Sequence, residues 1–581
     1  MSNTTPEQVV ALIRTGTSLE GAAISKLDLR QQPMRKARLM RAEIEAVQFD
    51  LADMAGSDLG GAQINNCTFG QTNLEDCDLS DALMILVRCP ATRFSRSKFV
   101  KFTSPAGHFP GAVFDEADLS DCRIVRGELT QASFIRAKMT ESHLDFSNLQ
   151  QCDFSSAEME KATFSAADLR GAKFDHAKLK EVSFANSDLR DADFSKAVLD
   201  TVIFAGADLR GAKLPTSMEK CQFSGAKITE LDMPDADLQR ADMEGLEFEG
   251  APNFEGANLQ WSSFVGTKLR SANFRNADLR NAAFSQCDLI GADFTGADVR
   301  GTIFAEAVLT GVDFSNQQFD RTNLFGADLA GANFESATLH HSILCQTKLD
   351  RASFRRARLD GAQLDGAIFK TLRLEEATIK DVSLMDMDLR ELKLQGLTMS
   401  YCNFSGSDMQ GMDLKDCNIS SCMFSKTKLA GADLRGADIA MSKFMEADLT
   451  NCRMNGVLGK HACFDKATLK TCDMSSSVLR GALFQEVDAH KCNFSQSNMR
   501  ESVWIGASAK ECVFAGTQLQ YADFSNASVE LSQFVGADLS SANLHAIVDT
   551  GASWTNAKVS GVKRTDNARL NAEINKPGRK A

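Results

Sequence analysis

The sequence predicts an all-β fold: a β-solenoid whose short extended edges wind into stacked four-sided coils, with short helical or irregular caps at the termini. Three observations predict it. An apolar residue recurs at every fifth position from Phe254 through Leu259, Phe264, Leu269 and Phe274 to Val559, 62 pentads without insertion or deletion. Only Gly459, Ala489, Ala509 and Asp549 are small or polar at that position. Phe and Leu alternate there between Phe154 and Phe314, apart from one break, which gives a ten-residue sub-period. Cys452, Cys472, Cys492 and Cys512 recur every twenty residues at one pentad position. A fixed period this long marks a repeat architecture, and twenty residues is four pentads. One coil therefore has four edges, two opposite faces lined by Phe and two by Leu.

The pentad Ala432-Asp433-Leu434-Arg435-Gly436 shows the chemistry. Leu434 is its centre. Ala432 lies two residues earlier, so in an extended segment both point inward while Asp433 points outward. Arg435 and Gly436 carry the chain round a corner, where Gly, Asp, Asn and Ser are favoured. The position two before the centre is small: from 162 to 212, eight of eleven are Ala. A five-residue period would drift around a helix of 3.6 residues per turn. The repeat A(D/N)LXX resembles the pentapeptide-repeat family, and the resemblance covers nearly the whole chain. It implies a right-handed quadrilateral β-helix.

Taken in order, residues 1–18 read as an N-terminal capping segment. Thr5 and Pro6 precede Val9, Val10, Leu12 and Ile13, which suits a short helix with Thr5 at the N-cap and Pro6 at the first position. It would cover the open end of the solenoid. Pentads run in phase from Leu19 to Leu214 as the first solenoid section, 19–214. The part from 85 to 111 is expected to be irregular, a bulge or short loop, because Pro90, Pro105 and Pro110 punctuate it and Ser104 falls at a centre. It is also basic: Arg88, Arg93, Arg96, Lys98 and Lys101 are a candidate contact for phosphate or an acidic partner. One residue is lost between Leu214 and Met218 and one regained between Phe248 and Phe254, so 215–253 is expected to be a phase-shifted bend. Asp232, Asp235, Asp237, Asp242, Glu244, Glu247, Glu249 and Glu255 stand there against Arg240 alone, a net −7. These eight acids are the candidate docking site for a basic protein partner, weighed against a simple solvated face.

The second section runs from 254 to 559. Ala489 and Ala509 are expected to make room for Trp504, since a filled core must conserve volume. Residues 560–581 form a C-terminal cap and basic tail. A short helix from about 566 to 575 is expected there, with Lys563, Arg564, Arg569, Lys576, Arg579 and Lys580 outnumbering Asp566 and Glu573. At four pentads per coil and about 4.8 Å per coil, the chain makes about 27 coils and a rod of about 130 Å.

Composition and motifs limit the function. The chain is 43% apolar and 24% charged with net charge −13, and it shows neither a leader peptide nor an apolar run long enough to span a bilayer. A cytoplasmic protein without membrane contact is expected, with secretion by a route lacking a cleaved signal left open. Thirteen of the sixteen cysteines replace the small residue before a centre, as packing residues do, and their spacing is not that of a zinc site. No catalytic or cofactor motif stands in a fitting context, so no enzyme activity, metal or cofactor is expected. The reading is a rigid scaffold or adaptor for one or more proteins. The resemblance implies two alternatives. Some members bind DNA topoisomerases as acidic DNA mimics, and long members resemble accessory or effector proteins of bacterial secretion systems. Net charge weighs against the mimic, because about one charge per 10 Å compares with one per about 1.7 Å of DNA axis. It also disfavours direct nucleic-acid binding. The family resemblance further implies a homodimer through a terminus.

Overall fold

The computed structural model describes residues 5–574, and the chain divides into two compact units, Met1–Asp298 and Val299–Ala581. Each unit is a parallel β-solenoid with four edges per coil. In the first unit the rungs step by twenty residues, Asp28 pairing with Gln48, Gln48 with Thr68 and Thr68 with Arg88. In the second, Asp433 pairs with Arg453 and Arg453 with Asp473 in the same parallel sense. Three-residue strands such as Ala23–Ser25, Glu43–Glu45, Gln63–Asn65 and Leu83–Ile85 form the longest ladders. Elsewhere each edge contributes a single bridge.

One pentad shows why the chain folds this way. The Leu434 N–H donates to the Arg453 carbonyl one coil on at 2.7 Å, and the Asp433 N–H donates to the Met412 carbonyl one coil back at 2.9 Å. The Ala437 N–H closes the corner on the Leu434 carbonyl at 3.0 Å, and Gly436 stands at φ +67. Corners of this kind need a left-handed third residue. Gly supplies it without cost, and the chain also uses Asn, Asp and Lys there, among them Asn276, Asp416 and Lys426. Backbone groups are thus paired up, down and round the corner, as buried amides must be.

The interior is filled by stacked columns. Phe404, Phe424, Phe444, Phe464 and Phe484 stack with centroids 4.8 to 5.1 Å apart. Phe residues on opposite faces meet edge-on across the core, as Phe174 and Phe184 do at 5.6 Å and 82°. Trp504 is fully buried in this column, 4.2 Å from Phe484 and 5.5 Å from Phe524, and its Nε1 donates to Ser502 at 3.0 Å. Ala489 and Ala509 in the adjoining column are also fully buried. The small position before each centre takes a further role when polar. Thr72, Ser442 and Cys472 each donate to the corner carbonyl of the coil beneath, at 2.7 Å in all three cases.

The expected irregularity at 85–111 is absent. Arg88 pairs with His108, Arg93 with Val113, Lys98 with Asp118 and Thr103 with Arg123, in unbroken twenty-residue steps. Pro90, Pro105 and Pro110 each sit directly after a centre, and the residues that follow, Ala91, Ala106 and Gly111, have φ of 51, 52 and 63°. Proline fits the second position of such a turn because its φ is already set. The prolines build corners here rather than breaking edges. Ser104 fills its centre fully buried, with Oγ lacking a partner.

The expected phase slip is present. Steps shorten to 19 at Ile203–Gln222 and Asp208–Lys227, return to 20 at Ser217–Asp237, and lengthen to 21 at Asp232–Asn253. Stacking survives the slip, with Phe204 5.2 Å from Phe223. Its mark is an apolar cavity of about 10 Å³ among Leu214, Met218, Met233 and Met243.

The ends differ. Helix α1 (Pro6–Arg14) carries a Thr5 capping box and buries Val9, Val10 and Ile13. Leu19, Ile24, Leu29 and Met34 of the first coil are buried although no coil precedes them. Helix α2 (Asn567–Ile574) follows the last coil, where Val548 and Val559 remain 46% and 41% exposed. Lys576, Arg579 and Lys580 of the expected basic tail lie outside the described residues. Among the described residues no helix is long and apolar enough to cross a membrane.

Two outcomes check this packing. Leu434→Asp buries an unpaired charge and should cost about 3–5 kcal/mol, opening nearby coils to limited proteolysis and lowering the β signal in circular dichroism. Unchanged proteolysis would refute the inward assignment. Ser104→Ala removes an unsatisfied buried hydroxyl and should raise stability by about 1 kcal/mol in urea denaturation. A loss of that size would mean the hydroxyl is bonded.

Candidate functional site

The eight acids do not form one patch. They ring one coil. Asp232 precedes Met233, Asp237 precedes Leu238, Asp242 and Glu244 flank Met243, and Glu247 and Glu249 flank Phe248, so each of four successive edges carries at least one. The bridges Asp232–Asn253, Asp237–Asn258, Asp242–Ser263 and Lys227–Glu247 place these edges around the coil. Asp235 stands on a corner, its N–H bonded to the Glu255 carbonyl one coil on. Asp237 and Asp242 are half-buried and the other six exposed. Neutral groups hold several of them. The Asn253 and Asn258 amides donate to Asp232 at 2.7 Å and Asp237 at 3.0 Å. Ser224 donates to Asp242, Ser263 to Glu244 at 3.0 Å, and Asn273 to Glu255 at 3.2 Å. Among the described residues none of the eight makes an ion pair. A flat partner would meet two adjacent edges at once, and the richest pair carries Asp242, Glu244, Glu247 and Glu249.

The basic candidates are spread over three adjacent edges and their corners, and two are already engaged. Arg96 forks onto Asp76 at 2.8 and 2.9 Å and reaches Glu75 at 3.3 Å, while Arg93 lies 3.2 Å from Glu75. The Arg96 guanidinium holds the Asp76 carboxyl below the usual range. Arg88, Lys98 and Lys101 make no ion pair among the described residues. Carboxylates therefore occupy the two arginines that would otherwise grip a phosphate.

The commonest charged motif of the chain is structural. Asp before a centre accepts the N–H two residues on, as Asp58 does from Gly60 at 3.0 Å and Asp433 from Arg435 at 3.2 Å. It thereby fixes the corner as an Asx turn does. Where Arg follows the centre, the same carboxylate is clamped by the guanidinium. Arg170, Arg190 and Arg210 fork onto Asp168, Asp188 and Asp208 at 2.6 to 2.7 Å, and Arg435 onto Asp433 at 2.7 Å. The hydrogen bond from Arg holds the Asp188, Asp208 and Asp433 carboxyls below their ordinary values. The D-L-R triplet was in plain view in the sequence, where these carboxylates read only as solvated charge.

The cysteines are packing residues. Fourteen are buried, and Cys345 and Cys463 are half-buried. Burial pushes the Cys67 and Cys77 thiols up to about 11 and about 12. Cys452, beside the Cys472 thiol, and the buried Cys472 and Cys492 are raised as well, and these thiols donate to the carbonyls of Leu429, Leu449 and Leu469. They are protonated and inaccessible, the opposite of reactive thiolates. Sequence reasoning missed one kind of surface. Tyr401, Met441 and Tyr521 share a corner row of the second unit at 59%, 64% and 61% exposure. Trp261, 56% exposed, stands one coil from Arg240 in a corner row of the first.

A model of the pentapeptide repeat region matches residues 137–214, 216–294, 236–314 and 267–344. A second, of pentapeptide repeats in eight copies, matches 42–82, 332–370, 399–436, 413–451, 462–500, 492–530 and 517–547. Together they span most of the chain. The protein belongs to the pentapeptide-repeat family. No curated protein matches it in sequence. Among solved structures of the family it is similar to HetL from the cyanobacterium Nostoc sp. strain PCC 7120, a protein involved in heterocyst differentiation regulation. Identity is 18%, coverage 59% of this chain and 89% of HetL, and the TM-score 0.14. For QnrB1, a plasmid-mediated fluoroquinolone resistance protein, identity is 19%, coverage 39% and 100%, and the TM-score 0.21. For a pentapeptide-repeat protein of the Arabidopsis thaliana thylakoid lumen the figures are 25%, 22% and 62%, and 0.08.

The Asp–Arg clamp makes a pH prediction. A carboxyl held lower in the folded state contributes stability that is present above its unfolded value near 4 and lost as pH falls through the folded value. Acid denaturation should therefore set in below about pH 4. Asp433→Asn, which keeps the corner acceptor, should remove only the pH-dependent part, whereas Asp433→Ala should cost about 1 kcal/mol more. Equal stability of the two variants in urea titrations at pH 7 would contradict the corner role.

Proposed function

We propose that this protein is a non-enzymatic interaction scaffold whose partner docks on the acidic coil at 232–255. The observation that carries the reading is the contrast in how carboxylates are used. Elsewhere the pentad aspartates are repeatedly clamped by an arginine of their own pentad, as at Asp168, Asp188 and Asp208. The eight acids of 232–255 make no ion pair among the described residues. Like charges crowded round one coil repel and destabilise it, a cost that a bound basic partner would offset. The partner that suits them is a protein presenting Lys and Arg, because complementary charge steers association and fixes orientation. Trp261, exposed beside this coil, supplies the aromatic anchor common at the centres of such contacts.

The DNA-mimic alternative fits less well. A mimic needs carboxylates running along the axis in phosphate-like rows, and here the unpaired ones encircle it. Many of the remainder are neutralised by Arg within hydrogen-bond distance.

An affinity pull-down with mass spectrometry tests the proposal. The intact chain is compared with the combined Asp232→Asn, Asp235→Asn, Glu244→Gln and Glu247→Gln variant. These amides keep the local hydrogen-bond acceptors, so the fold should persist while the partner is lost. Equal recovery of the same partners would reduce the acidic coil to a solvated face. Loss of a topoisomerase subunit in particular would restore the mimic reading.

A further inference from the structure

Three rungs of the second unit depart from the repeat, and they do so where its small positions turn large. Two residues before the centres of one edge stand Ala332, Ala352, Leu372, Leu392, Met412 and Ala432 in successive coils. The rungs Asn333–Ser353, Ser353–Arg373 and Asp413–Asp433 form, whereas Arg373 does not bridge Lys393 and Lys393 does not bridge Asp413. The ladder fails where Leu stacks on Leu and Met on Leu. On the preceding edge Met387 follows Ala367, and the rung between Ile368 and Asp388 is missing too, although Lys348–Ile368 and Asp388–Asp408 hold. Among the described residues, the N–H groups of Phe369, Leu374 and Leu394 find no backbone acceptor in the coil ahead, nor do those of Asp388, Lys393 and Asp413 in the coil behind. Leu372 is only half-buried, and Ile368 is 58% exposed.

The other two edges of the same coils stay zipped. Arg358–Asp360, Thr378–Lys380 and Thr398–Ser400 form a three-strand ladder, and among the described residues these are the only three-residue strands of this unit. Gln363–Ser383 and Ser383–Asn403 are bridged as well. Packing explains the one-sided break. Where Phe334 and Phe354 fill the centres of the regular coils, Leu374 and Leu394 stand here, so volume has moved from the centre to the position before it. Total volume is roughly kept, but a Leu side chain now stands where a methyl group let the coils approach, and overpacking of this kind shifts the backbone. Coils joined by four ladders open together or not at all, whereas coils joined by two can open on the free side. We propose that the coils at 367–413 are a hinge within the second unit. The ladder of 358–400 is its pivot, and the corner at Thr371 and Glu391, between the two broken edges, opens and closes.

Hydrogen exchange and spin-label distances on the full chain test the hinge. Peptides covering 369–376 and 391–396 should exchange about tenfold faster or more than peptides covering 378–384 and 398–404 of the same coils. Nitroxide pairs then read the motion, in a background where the half-buried Cys345 and Cys463 are replaced by Ser. Arg351→Cys with Asn451→Cys spans the open corner, and His341→Cys with Met441→Cys spans the corner between the intact edges. Each pair is five coils apart, or about 24 Å. The distance distribution should be about twofold wider or more across the open corner. Finally, Leu372→Ala, Leu374→Phe, Leu392→Ala and Leu394→Phe together restore the pattern of Ala352 and Phe354, and should slow exchange at 369–376 by about tenfold. Equal exchange on broken and intact edges, equal widths for the two nitroxide pairs, or unchanged exchange in a folded repacked variant would each overturn the proposal. If the repacked variant does not fold, the first two comparisons decide.

Discussion

Everything in this structure depends on the twenty-residue rung. Each pentad centre donates its N–H to the coil ahead, and the residue before it donates to the coil behind. A coil out of register with its neighbours would leave both sets unpaired in a dry interior, at several kcal/mol per group. That requirement forces the same side chain position onto the same face coil after coil. It explains why phenylalanines stack on phenylalanines and why Cys, Ser and Thr such as Cys472, Ser442 and Thr72 before the centres find the same carbonyl beneath them, whereas Ser142, Ser187, Ser262 and Thr347 bond within their own coil. The slip near Leu214 also keeps the columns: the step of 19 still sets Phe223 on Phe204, and steps of 20 resume at Ser217–Asp237 before the step of 21 at Asp232–Asn253.

The same constraint leaves the surface free to carry information. Three positions per pentad face water, and the core is indifferent to what stands there. The chain uses that freedom in two ways. In pentads such as 168–170, 188–190, 208–210 and 433–435, Asp before the centre and Arg after it neutralise each other and fix the corner. Around one coil the acids of four successive edges make no ion pair among the described residues, and at a few corners large apolar side chains stand out. At the slip the core keeps an apolar cavity of about 10 Å³.

Much of this was legible in the sequence, for a physical reason. The inward positions of a solenoid recur with fixed period, so Leu434 and its equivalents, the four edges and the slip at 214–254 could be placed by counting, and the Thr5-Pro6 start of α1 by its capping chemistry. What failed was local. Pro90, Pro105 and Pro110 read as breakers because proline removes a donor, but the position after a centre needs no donor and wants the φ that proline has. The pentad aspartates read as solvated because their bond is to a backbone amide two residues on, which composition does not show. The acids of 232–255 read as one patch because adjacency along the chain suggests adjacency in space, whereas five residues here is a quarter turn.

The most direct test of the twenty-residue coil is a double-mutant cycle on the Phe column. Phe424 and Phe444 stack at 4.8 Å across one coil step. Phe424→Leu and Phe444→Leu should therefore be coupled in urea denaturation by about 0.5 kcal/mol or more. Phe424→Leu and Phe484→Leu, three steps apart, should add without coupling. Strong coupling of the distant pair, or none in the stacked pair, would contradict the architecture on which the rest of the account is built.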